Sequence, residues 1–318
     1  MNKKDFPLCS VIILNYNGKK YLKKCLDSLK KLNYPNYEVI FVDNASTDGS
    51  VEFIKKNYPE IKLIENKFNL GFSEGNNVGI RKANGDYIVL FNNDVIIDKN
   101  WLNETIKIAK NDEKIGIVGG KIYDYNSNIL QHVGGRLHKF TNFYLFTSEI
   151  GAGERDIGQY DEKREVDYVI CTAILIKKNV IKGVGLMDKG FYPIYVEDID
   201  LNYRVKEIGY KVIYVPSAKV WHKGSGTFGK ISREKKYYIQ KNKIRFILKN
   251  FGISLILWSI FSQTLHIVLK LLNGIIKGTF EDDLYAVYHG IKWNIEHINE
   301  TLKARRKWLK MKNRLLAN

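Results

Sequence analysis

The sequence predicts an α/β fold with a mostly parallel sheet flanked by helices, followed by a helical extension at the C-terminus. Short runs of β-branched and aromatic residues alternate with amphipathic stretches between residues 10 and 122, which indicates strands joined by helical crossovers. The runs at residues 11–14 and 87–91 are wholly apolar, as expected for central strands that are buried on both faces. After residue 230 the composition becomes basic and aromatic and then strongly apolar, which indicates a separate helical segment.

The predicted elements follow in a regular order along the first part of the chain. The predicted strands cover residues 10–16, 37–43, 61–65, 87–91 and 115–121, and the predicted helices cover residues 19–32, 49–58, 74–83 and 99–110. Between residues 121 and 168 the pattern loosens into glycine-rich and aromatic sequence, and a second ordered block runs from residue 169 to residue 229. We therefore expect one large domain over residues 1–230 and a basic, partly apolar helical extension over residues 231–318.

Charge and cysteine content limit the partners and the compartment. The chain has 318 residues and a formal net charge of +17, which indicates an anionic partner: nucleic acid, a membrane surface or a phosphorylated small molecule. The cysteines Cys9, Cys25 and Cys171 are far apart, which predicts neither a disulfide framework nor a zinc site and fits a reducing compartment. The N-terminus lacks the layout of a signal peptide, so we expect a cytoplasmic protein.

The C-terminal extension favours a membrane surface over nucleic acid. Residues 253–276 are long enough to span a bilayer, but polar residues interrupt them and a charge such as Lys270 is costly in mid-membrane. We expect a helix that lies on the membrane or packs on the large domain. Residues 303–314 carry seven Lys or Arg residues around Trp308, which resembles a basic interfacial helix, although an ordinary solvated helix face is the alternative. Since the basic excess is heaviest here, we expect no nucleic-acid partner.

Polar residues at the predicted strand ends are the most informative, because ligands of parallel sheets lie beyond the carboxyl ends of the strands. Asn15 and Asn17 follow the first predicted strand, and Asp43, Asn44 and Ser46 follow the second. A carboxylate placed there, beside exposed backbone groups, can accept hydrogen bonds from a base or a ribose. Capping of the next helix is the alternative, and the two roles are compatible.

Two further segments suit an anionic ligand. Asn69, Gly71 and Asn76 place small residues at the start of a helix, where free N–H groups and the helix dipole can hold an anion, although a plain turn is the alternative. Asn93 and Asp94 follow the strongest predicted strand, and a carboxylate at this point could ligate a divalent ion that bridges a diphosphate. A polar turn after a strand is the alternative for the second segment.

An acidic run and a histidine complete the candidate residues. Glu197, Asp198 and Asp200 begin a predicted helix, whose dipole they would satisfy in any case. Because adjacent carboxylates cannot point at one target, one of them could be a general base. His222 precedes a glycine-rich loop and could reach a metal or a phosphate, although a lone histidine is more often structural.

Taken in order, these segments resemble the family 2 glycosyltransferases over residues 8–230. The resemblance is nearest to a rhamnosyltransferase-like branch, which shares the loop at residues 43–49 and the acidic run that ends at residue 201. It implies a GT-A fold with a Rossmann-like sheet. The implied activity is inverting transfer of a sugar from a nucleoside diphosphate sugar to a hydroxyl of a glycan or lipid-linked glycan, in cell-surface polysaccharide synthesis, with rhamnosyl transfer as one candidate.

The resemblance also implies roles for individual residues. Asp198 would be the catalytic base, and Asp94 would hold a divalent cation, Mg²⁺ or Mn²⁺, with His222 completing the metal site. Asp43 would be the main partner of the base of the nucleotide. The full set expected to contact the nucleotide sugar is Asn15, Asn17, Asp43, Asn44, Ser46, Asn69, Gly71, Asn76, Asn93 and Glu197.

Two departures from the family pattern qualify these roles. The Asp-x-Asp metal motif of the family is reduced here to Asn92, Asn93 and Asp94, which makes metal dependence less secure. The Gln-x-x-Arg-Trp motif of processive synthases is absent at residues 240–244, which favours addition of one or a few sugars. We expect a peripheral protein on the inner face of the cell membrane; whether it forms a homo-oligomer is left open.

Two other classes of protein remain as alternatives. A sugar-phosphate nucleotidyltransferase would share the parallel sheet, but it should open with a glycine-rich, arginine-containing loop, which residues 15–18 do not supply. A non-catalytic protein that binds a nucleotide sugar or a glycan at the membrane would carry the same ligand-contacting residues and would show no turnover.

Overall fold

The computed structural model describes residues 6–138, 147–224, 232–277 and 280–317. A large sheet forms the centre of the fold, and helices cover both of its faces. The strands are β1 Cys9–Asn15, β2 Tyr37–Asp43, β3 Lys62–Glu65, β4 Tyr87–Asn92, β5 Val95–Ile97, β6 Ile115–Asp124, β7 Leu130–His132, β8 Gly135–Leu137, β9 Thr147–Glu149, β10 Arg164–Val166, β11 Ala173–Lys177 and β12 Lys211–His222.

Helices connect the strands in the first part of the chain and are consecutive in the last part. They are α1 Lys19–Leu29, α2 Ser50–Asn57, α3 Gly71–Lys82, α4 Trp101–Asn111, α5 Lys178–Val184, α6 Glu197–Glu207, α7 Arg233–Asn250, α8 Ile253–Lys277, α9 Phe280–Glu296 and α10 Ile298–Leu316, with a short 3-10 helix at Lys189–Phe191. The predicted division between residues 230 and 231 falls in residues 225–231, outside the described residues, so it stays a prediction.

The strand order is β3-β2-β1-β4-β11-β6-β12-β10, with β5 paired to β12 and β7 paired to β6. β1 to β4 are parallel to one another, as are β6 and β12, whereas β11 runs antiparallel between β4 and β6. The predicted α/β fold with a mostly parallel sheet, flanked by helices and followed by a helical region, is confirmed. β8 and β9 form a separate antiparallel pair.

The register of the central strands places the predicted site residues side by side. Asn15 at the end of β1 lies opposite Asp43 at the end of β2, and Leu14 lies opposite Asn92 on β4. The wholly apolar centres of these strands are buried between two hydrophobic clusters, one on each face of the sheet. Burial of this apolar surface therefore sets the register that aligns the polar strand ends.

The C-terminal helices pack on the rest of the fold. Trp308 is 3% exposed and packs in the cluster on one face of the sheet, with the guanidinium of Arg204 5.9 Å from the centre of its ring. The indole of Trp308 fills a core position, so it is not available to a membrane interface, and the basic interfacial helix expected over residues 303–314 stays a prediction for the other side chains. The side chains of Met311 and Leu315 lie close to Gly185 and Gly183 at the end of α5.

The apolar stretch after residue 252 forms the predicted helix, α8, and many of its side chains are exposed, including Leu257 at 60% and Phe261 at 58%. Among the residues that the structure describes, none of the helices combines the length and the apolar character that a membrane crossing requires.

Candidate active site

The carboxylate of Asp43 is the centre of a hydrogen-bonded group at the ends of β1 and β2. Asn15 Nδ2 donates to Asp43 Oδ1 at 2.9 Å, and the Oγ of Ser46 donates to the same oxygen at 2.7 Å. The backbone N–H of Ser46 donates to Asp43 Oδ2 at 2.8 Å. Asp43 is 1% exposed and Asn15 is fully buried. Three donors therefore fix the carboxylate at the carboxyl ends of β1 and β2.

The loop after β1 is tied to the loop after β2. Asn17 adopts a left-handed conformation with φ 51°, its backbone N–H donates to Ser46 Oγ at 2.9 Å, and its Oδ1 accepts from the N–H of Thr47 at 2.8 Å. Asn93 extends the same group, since its Nδ2 donates to Asn15 Oδ1 at 2.6 Å. The structure thus brings together Asn15, Asn17, Asp43, Ser46 and Asn93, as their positions at strand ends predicted.

A second group of amides surrounds the start of α3. Asn44 Nδ2 donates to Asn69 Oδ1 at 3.2 Å and to the carbonyl of Gly71 at 3.1 Å. Asn69 Oδ1 also accepts from the N–H of Gly71 at 2.9 Å, and Asn66, which sequence reasoning missed, donates to Asn44 Oδ1 at 2.8 Å. Asn76 is buried, and its Nδ2 donates to the carbonyl of Phe72 at 3.0 Å.

The start of α3 differs from the prediction in one respect. The N–H of Phe72 donates to the carbonyl of Pro193 at 2.7 Å, and the N–H of Gly71 is capped by Asn69. Two of the N–H groups that were expected to face an anion are therefore used within the protein. The sequence could not show this, because residue 193 is distant along the chain.

Asp94 and His222 form the candidate metal-binding pair. Asp94 Oδ1 lies 3.2 Å from His222 Nε2, and both side chains are largely buried. Gln131 Nε2 donates to the carbonyl of His222 at 3.0 Å and to Asp124 Oδ1 at 2.6 Å, so Gln131 Oε1 is left as an acceptor for His222 Nδ1 at 2.7 Å. Nδ1 therefore faces an acceptor and Nε2 faces Asp94, so Nε2 is the nitrogen through which His222 could bind a metal ion.

This arrangement fits a metal ion by the chemistry of its donors. One carboxylate oxygen and one imidazole nitrogen, both ordinary metal ligands, face each other, and the glutamine that contacts Nδ1 orients the ring. Asn92 Nδ2 lies 3.4 Å from the same nitrogen. Within the described part of the chain, no group of three or more His, Cys, Asp or Glu side chains could hold a metal by itself.

The three acids at the start of α6 occupy different environments. Asp200 is fully buried and pairs with Lys249 at 2.8 Å and Arg204 at 2.9 Å, so it is structural. Glu197 is also buried, and burial followed by the charge of Asp198 raises the pKa of Glu197 well above its ordinary value. Asp198 is partly exposed. The expectation that adjacent acids serve different purposes agrees with this geometry.

Asp198 has the titration behaviour expected of a general base near neutral pH. Although part of Asp198 reaches solvent, the protein around its carboxyl group removes water and raises its pKa to about 6. A hydrogen bond from the N–H of Ile199 opposes this rise, the charge of Glu149 adds to it, and His132 opposes it. Glu149 and His132 are hydrogen-bonded to each other, and the hydroxyl of Tyr168 donates to Glu149 at 2.9 Å. No sequence pattern indicated these three residues. His132 and Glu149 lie on strands of only three residues, β7 and β9, and Tyr168 lies between β10 and β11.

The sheet and the helices that flank it form the GT-A fold of glycosyltransferases. The chain belongs to glycosyl transferase family 2, since residues 10–185, more than half of its length, match the model of that family. The resemblance inferred from the ordered motifs is thereby confirmed. The roles of individual residues stay predictions.

Curated relatives include named glycosyltransferases. The chain is 23% identical over 238 residues to an N-acetylglucosaminyl-diphospho-decaprenol L-rhamnosyltransferase of Mycobacterium tuberculosis, covering 69% of this chain and 77% of that protein. It is 26% identical over 235 residues to a poly-beta-1,6-N-acetyl-D-glucosamine synthase of Staphylococcus epidermidis, covering 73% of this chain and 53% of that protein. It also matches an uncharacterised protein of Sinorhizobium fredii at 26% identity over 232 residues, 70% of this chain but only 25% of that protein.

Solved structures confirm the fold. GalNAc-T7 with UDP, GalNAc and Mn²⁺ superposes with a TM-score of 0.61 at 17% identity over 77% of this chain and 48% of that chain. The mannosyltransferase PcManGT of Pyrobaculum calidifontis with GDP-Man and Mn²⁺ gives 0.54 at 15% identity over 99% and 87%. Residues 1–349 of S. aureus TarS with UDP give 0.54 at 17% identity over 97% and 90%.

Proposed function

We propose that this glycosyltransferase transfers a hexosyl or deoxyhexosyl group, with inversion, from a nucleoside diphosphate sugar to a hydroxyl of a glycan or lipid-linked glycan in cell-surface polysaccharide synthesis. The observation that carries the proposal is the division of roles among the three acids of α6. Asp200 is neutralised by ion pairs and Glu197 is fully enclosed, so Asp198 is the acid of this group that is left to meet a substrate. Rhamnosyl transfer is one candidate, supported by the similarity to a rhamnosyltransferase.

The nucleoside would bind at the ends of β1 and β2. An ionised carboxylate offers about four lone-pair positions, and the protein fills three of those of Asp43. The remaining position can accept a hydrogen bond from the base or the ribose. The amides, hydroxyl and backbone groups around it would complete the contacts with the nucleotide sugar, and they belong to Asn15, Asn17, Asn44, Ser46, Asn69, Gly71, Asn76 and Asn93. Glu197, which the sequence placed in the same set, is enclosed by the protein and is not proposed as a contact.

The diphosphate would lie beside Asp94 and His222, which would hold Mg²⁺ or Mn²⁺. Such an ion, when bound, offsets the negative charge that grows on the leaving diphosphate. Because the protein supplies two ligands at this point, the ion would take its remaining ligands from phosphate oxygens and water. Two structures of similar fold contain Mn²⁺ together with a nucleotide or nucleotide sugar, which supports this role.

The proposed transfer reaction uses Asp198 as its single general base. Asp198 accepts the proton of the acceptor hydroxyl as the hydroxyl oxygen attacks the anomeric carbon from the face opposite the diphosphate. The new C–O bond forms while the bond from the anomeric carbon to the diphosphate oxygen breaks, and the electron pair leaves with the diphosphate. One displacement inverts the anomeric configuration, and no covalent intermediate with the protein is needed. A pKa of about 6 leaves Asp198 ionised at neutral pH while keeping it a useful proton acceptor.

The acceptor would be met at the inner face of the cell membrane. Exposed apolar side chains recur at intervals of three or four along α8 and α9, and we call this set the apolar face. They are Ile253, Leu257, Phe261, Leu265, Val268, Leu272 and Ile275 on α8, and Leu284, Tyr288, Ile291 and Ile295 on α9. With a net charge of +17, the protein would be drawn to anionic lipid before this face enters the interface. A relative whose substrate name includes decaprenol supports a lipid-linked acceptor.

A panel of nucleoside diphosphate sugars tests the function. A cognate donor should raise the melting temperature of the wild-type protein but not that of Asp43→Ala, since a ligand that binds the native state stabilises it by mass action. Transfer of the labelled sugar from that donor to glycan and lipid-linked acceptors should then follow. Stabilisation without release of nucleoside diphosphate would instead support the non-catalytic binding protein, which is the alternative function.

A further inference from the structure

One face of α7 contacts the loop that carries the candidate base. The side chain of Asn242 is fully buried, and its Nδ2 donates to the carbonyls of Phe191 at 3.0 Å, Ile194 at 3.0 Å and Tyr195 at 2.9 Å. Lys241 is also buried, and its ammonium group donates to the carbonyl of Tyr192. Two adjacent residues of α7 therefore hold four of the backbone carbonyls that lead into α6.

The loop needs such support because its backbone is strained just before the base. Tyr195 has φ 85° and Val196 has φ 76°, so two consecutive residues with side chains adopt the left-handed region. This region is unfavourable for bulky and β-branched residues and persists only when the surroundings enforce it. Asn242 binds the carbonyls immediately before and at the first strained residue. Glu197 and Asp198 follow directly, so the direction of Asp198 depends on this conformation.

Ion pairs fix the two ends of the same loop to α7. At its start, Asp188 accepts from Arg245 at 3.0 Å and from Lys249 at 3.0 Å. One turn into α6, Asp200 accepts from Lys249 at 2.8 Å and from Asn250 at 2.8 Å. Arg245, Lys249 and Asp200 are buried and the side chain of Asp188 is 13% exposed, so solvent screens these ion pairs little. Contacts at the start, middle and end of the segment thus come from a single helix.

We infer that α7 positions the base for catalysis and that Asn242 and Lys241 are positioning residues of the active site. The inference rests on the proposed role of Asp198. It extends the active site from Asp198 and His222, which already lie beyond the residues 10–185 that match the family model, to the helix α7. The loop also accepts a hydrogen bond from the N–H of Phe72 at the start of α3, through the carbonyl of Pro193.

Paired asparagine variants test this role in the full-length enzyme. Asn242→Ala should lower kcat by about 100-fold, because a shift of about 1 Å in a catalytic group has an effect of this size. Binding of UDP, GDP or TDP, whichever matches the donor found in the panel, should stay within about twofold, because the nucleoside contacts are untouched. The matched control is Asn294→Ala. Asn294 is equally buried, but its Nδ2 donates to the carbonyls of Lys241 at 2.9 Å and Gly290 at 2.8 Å instead of to the loop.

The control separates positioning from folding. Both variants lose a buried amide whose Oδ1 has no partner among the described residues, so similar decreases in melting temperature are expected. Only Asn242→Ala should lower kcat. Equal kcat values for the two variants would overturn the inference.

A second variant keeps the test open if Asn242→Ala does not fold. Burial, with the charge of Arg245 adding to it, lowers the pKa of Lys241 to about 8, so removing this cation should not lower the melting temperature. Lys241→Met keeps the aliphatic stem and removes the donor to Tyr192. We expect kcat to fall by about tenfold with nucleotide binding unchanged. An unchanged kcat, or a loss that follows the melting temperature, contradicts the role.

Rescue provides the sharpest comparison. Glycine adopts positive φ without steric cost, so Tyr195→Gly should need less support from Asn242. Adding Tyr195→Gly to Asn242→Ala should recover part of the lost kcat, whereas no recovery would argue against strain as the reason for the contact. Asp198→Asn distinguishes a failure of the base assignment from a failure of the positioning role. If that variant keeps its activity, the base assignment fails; if it is inactive while Asn242→Ala and Lys241→Met are fully active, only the positioning role fails.

Discussion

Asp94 Oδ1 and His222 Nε2 lie 3.2 Å apart, although the two residues are distant in the sequence. The pairing of β5 with β12 explains their approach, because it places Val95 opposite His222 at the open edge of the sheet. Gln131 then orients the imidazole through Nδ1. The short strand β5 therefore brings together Asp94 and His222, the two residues that are proposed to face the diphosphate.

Removal of either the metal or its carboxylate should have the same effect. Asp94→Ala should weaken donor binding at least about tenfold in Mg²⁺ or Mn²⁺, and EDTA should reduce binding by wild type to a similar extent, because both leave the diphosphate charge uncompensated. Asp98→Ala is the matched control, since Asp98 is a nearby aspartate that is not a proposed metal ligand and whose carboxylate accepts from the N–H of Asn100. Titration calorimetry with and without metal measures the effect. Full activity in EDTA would mean that lysines and helix N-termini carry the diphosphate charge instead.

Transfer should depend on pH through Asp198. Because burial raises the pKa of Asp198 to about 6 and a base must be ionised to act, kcat/KM should fall about tenfold per pH unit below pH 6 and level off above it. The groups that contribute to this environment are Glu149, His132, Glu197, Tyr168 and Cys171. A pH–rate profile with the identified donor measures this fall of kcat/KM at acidic pH. A flat profile from pH 5 to about 8 is incompatible with this base.

The apolar face of α8 and α9 should bind anionic membranes. Leu257→Glu with Phe261→Glu should reduce co-sedimentation with vesicles of phosphatidylglycerol and phosphatidylcholine, because the charges oppose insertion of these exposed side chains. Ile157→Glu is the control, since Ile157 is 81% exposed elsewhere on the protein. Added salt should weaken binding of the wild type.

Two results would contradict the membrane role. Absence of wild-type binding at low salt would reject it outright. A stable dimer in solution that the glutamate variants dissociate would show that a second copy of the chain covers the apolar face.

Removing one partner from the buried ion network should destabilise the fold strongly. Asp200→Ala leaves the buried cations Lys249 and Arg204 without this carboxylate, which should cost about 3–5 kcal/mol of unfolding free energy. Urea unfolding measures the loss. Glu60→Ala, which breaks the exposed pair with Lys30, should leave stability nearly unchanged. If the two variants are equally stable, the network does not hold α6 to α7.

Local patterns in the sequence predicted most of the first half of the fold. The strand expected at residues 37–43 is observed as Tyr37–Asp43, and the helix expected from residue 19 begins at Lys19. These elements have a strong hydrophobic period and clear turn signals, which are properties of consecutive residues. The grouping of Asn15, Asp43 and Ser46 followed from the rule that parallel strands end at one edge.

Long-range contacts account for what the sequence could not predict. β5 is only three residues long, and β11 runs antiparallel because of pairings with β4 and β6 that no local period encodes. The basic run around Trp308 suggested a lipid-facing helix, but the packing of α10 against α5 and the core buries its indole. The contacts of Asn242 with the loop before α6 likewise join segments that are distant in the chain.

Transfer by Asp198→Asn, measured beside donor binding, tests the central claim most directly. The substitution removes the proton acceptor and changes the shape of the side chain little, so we expect transfer to be abolished while the affinity for the donor stays nearly intact. Residual activity within about tenfold of wild type, or roughly 1.4 kcal/mol of lost transition-state stabilisation, would contradict the assignment of Asp198 as the base.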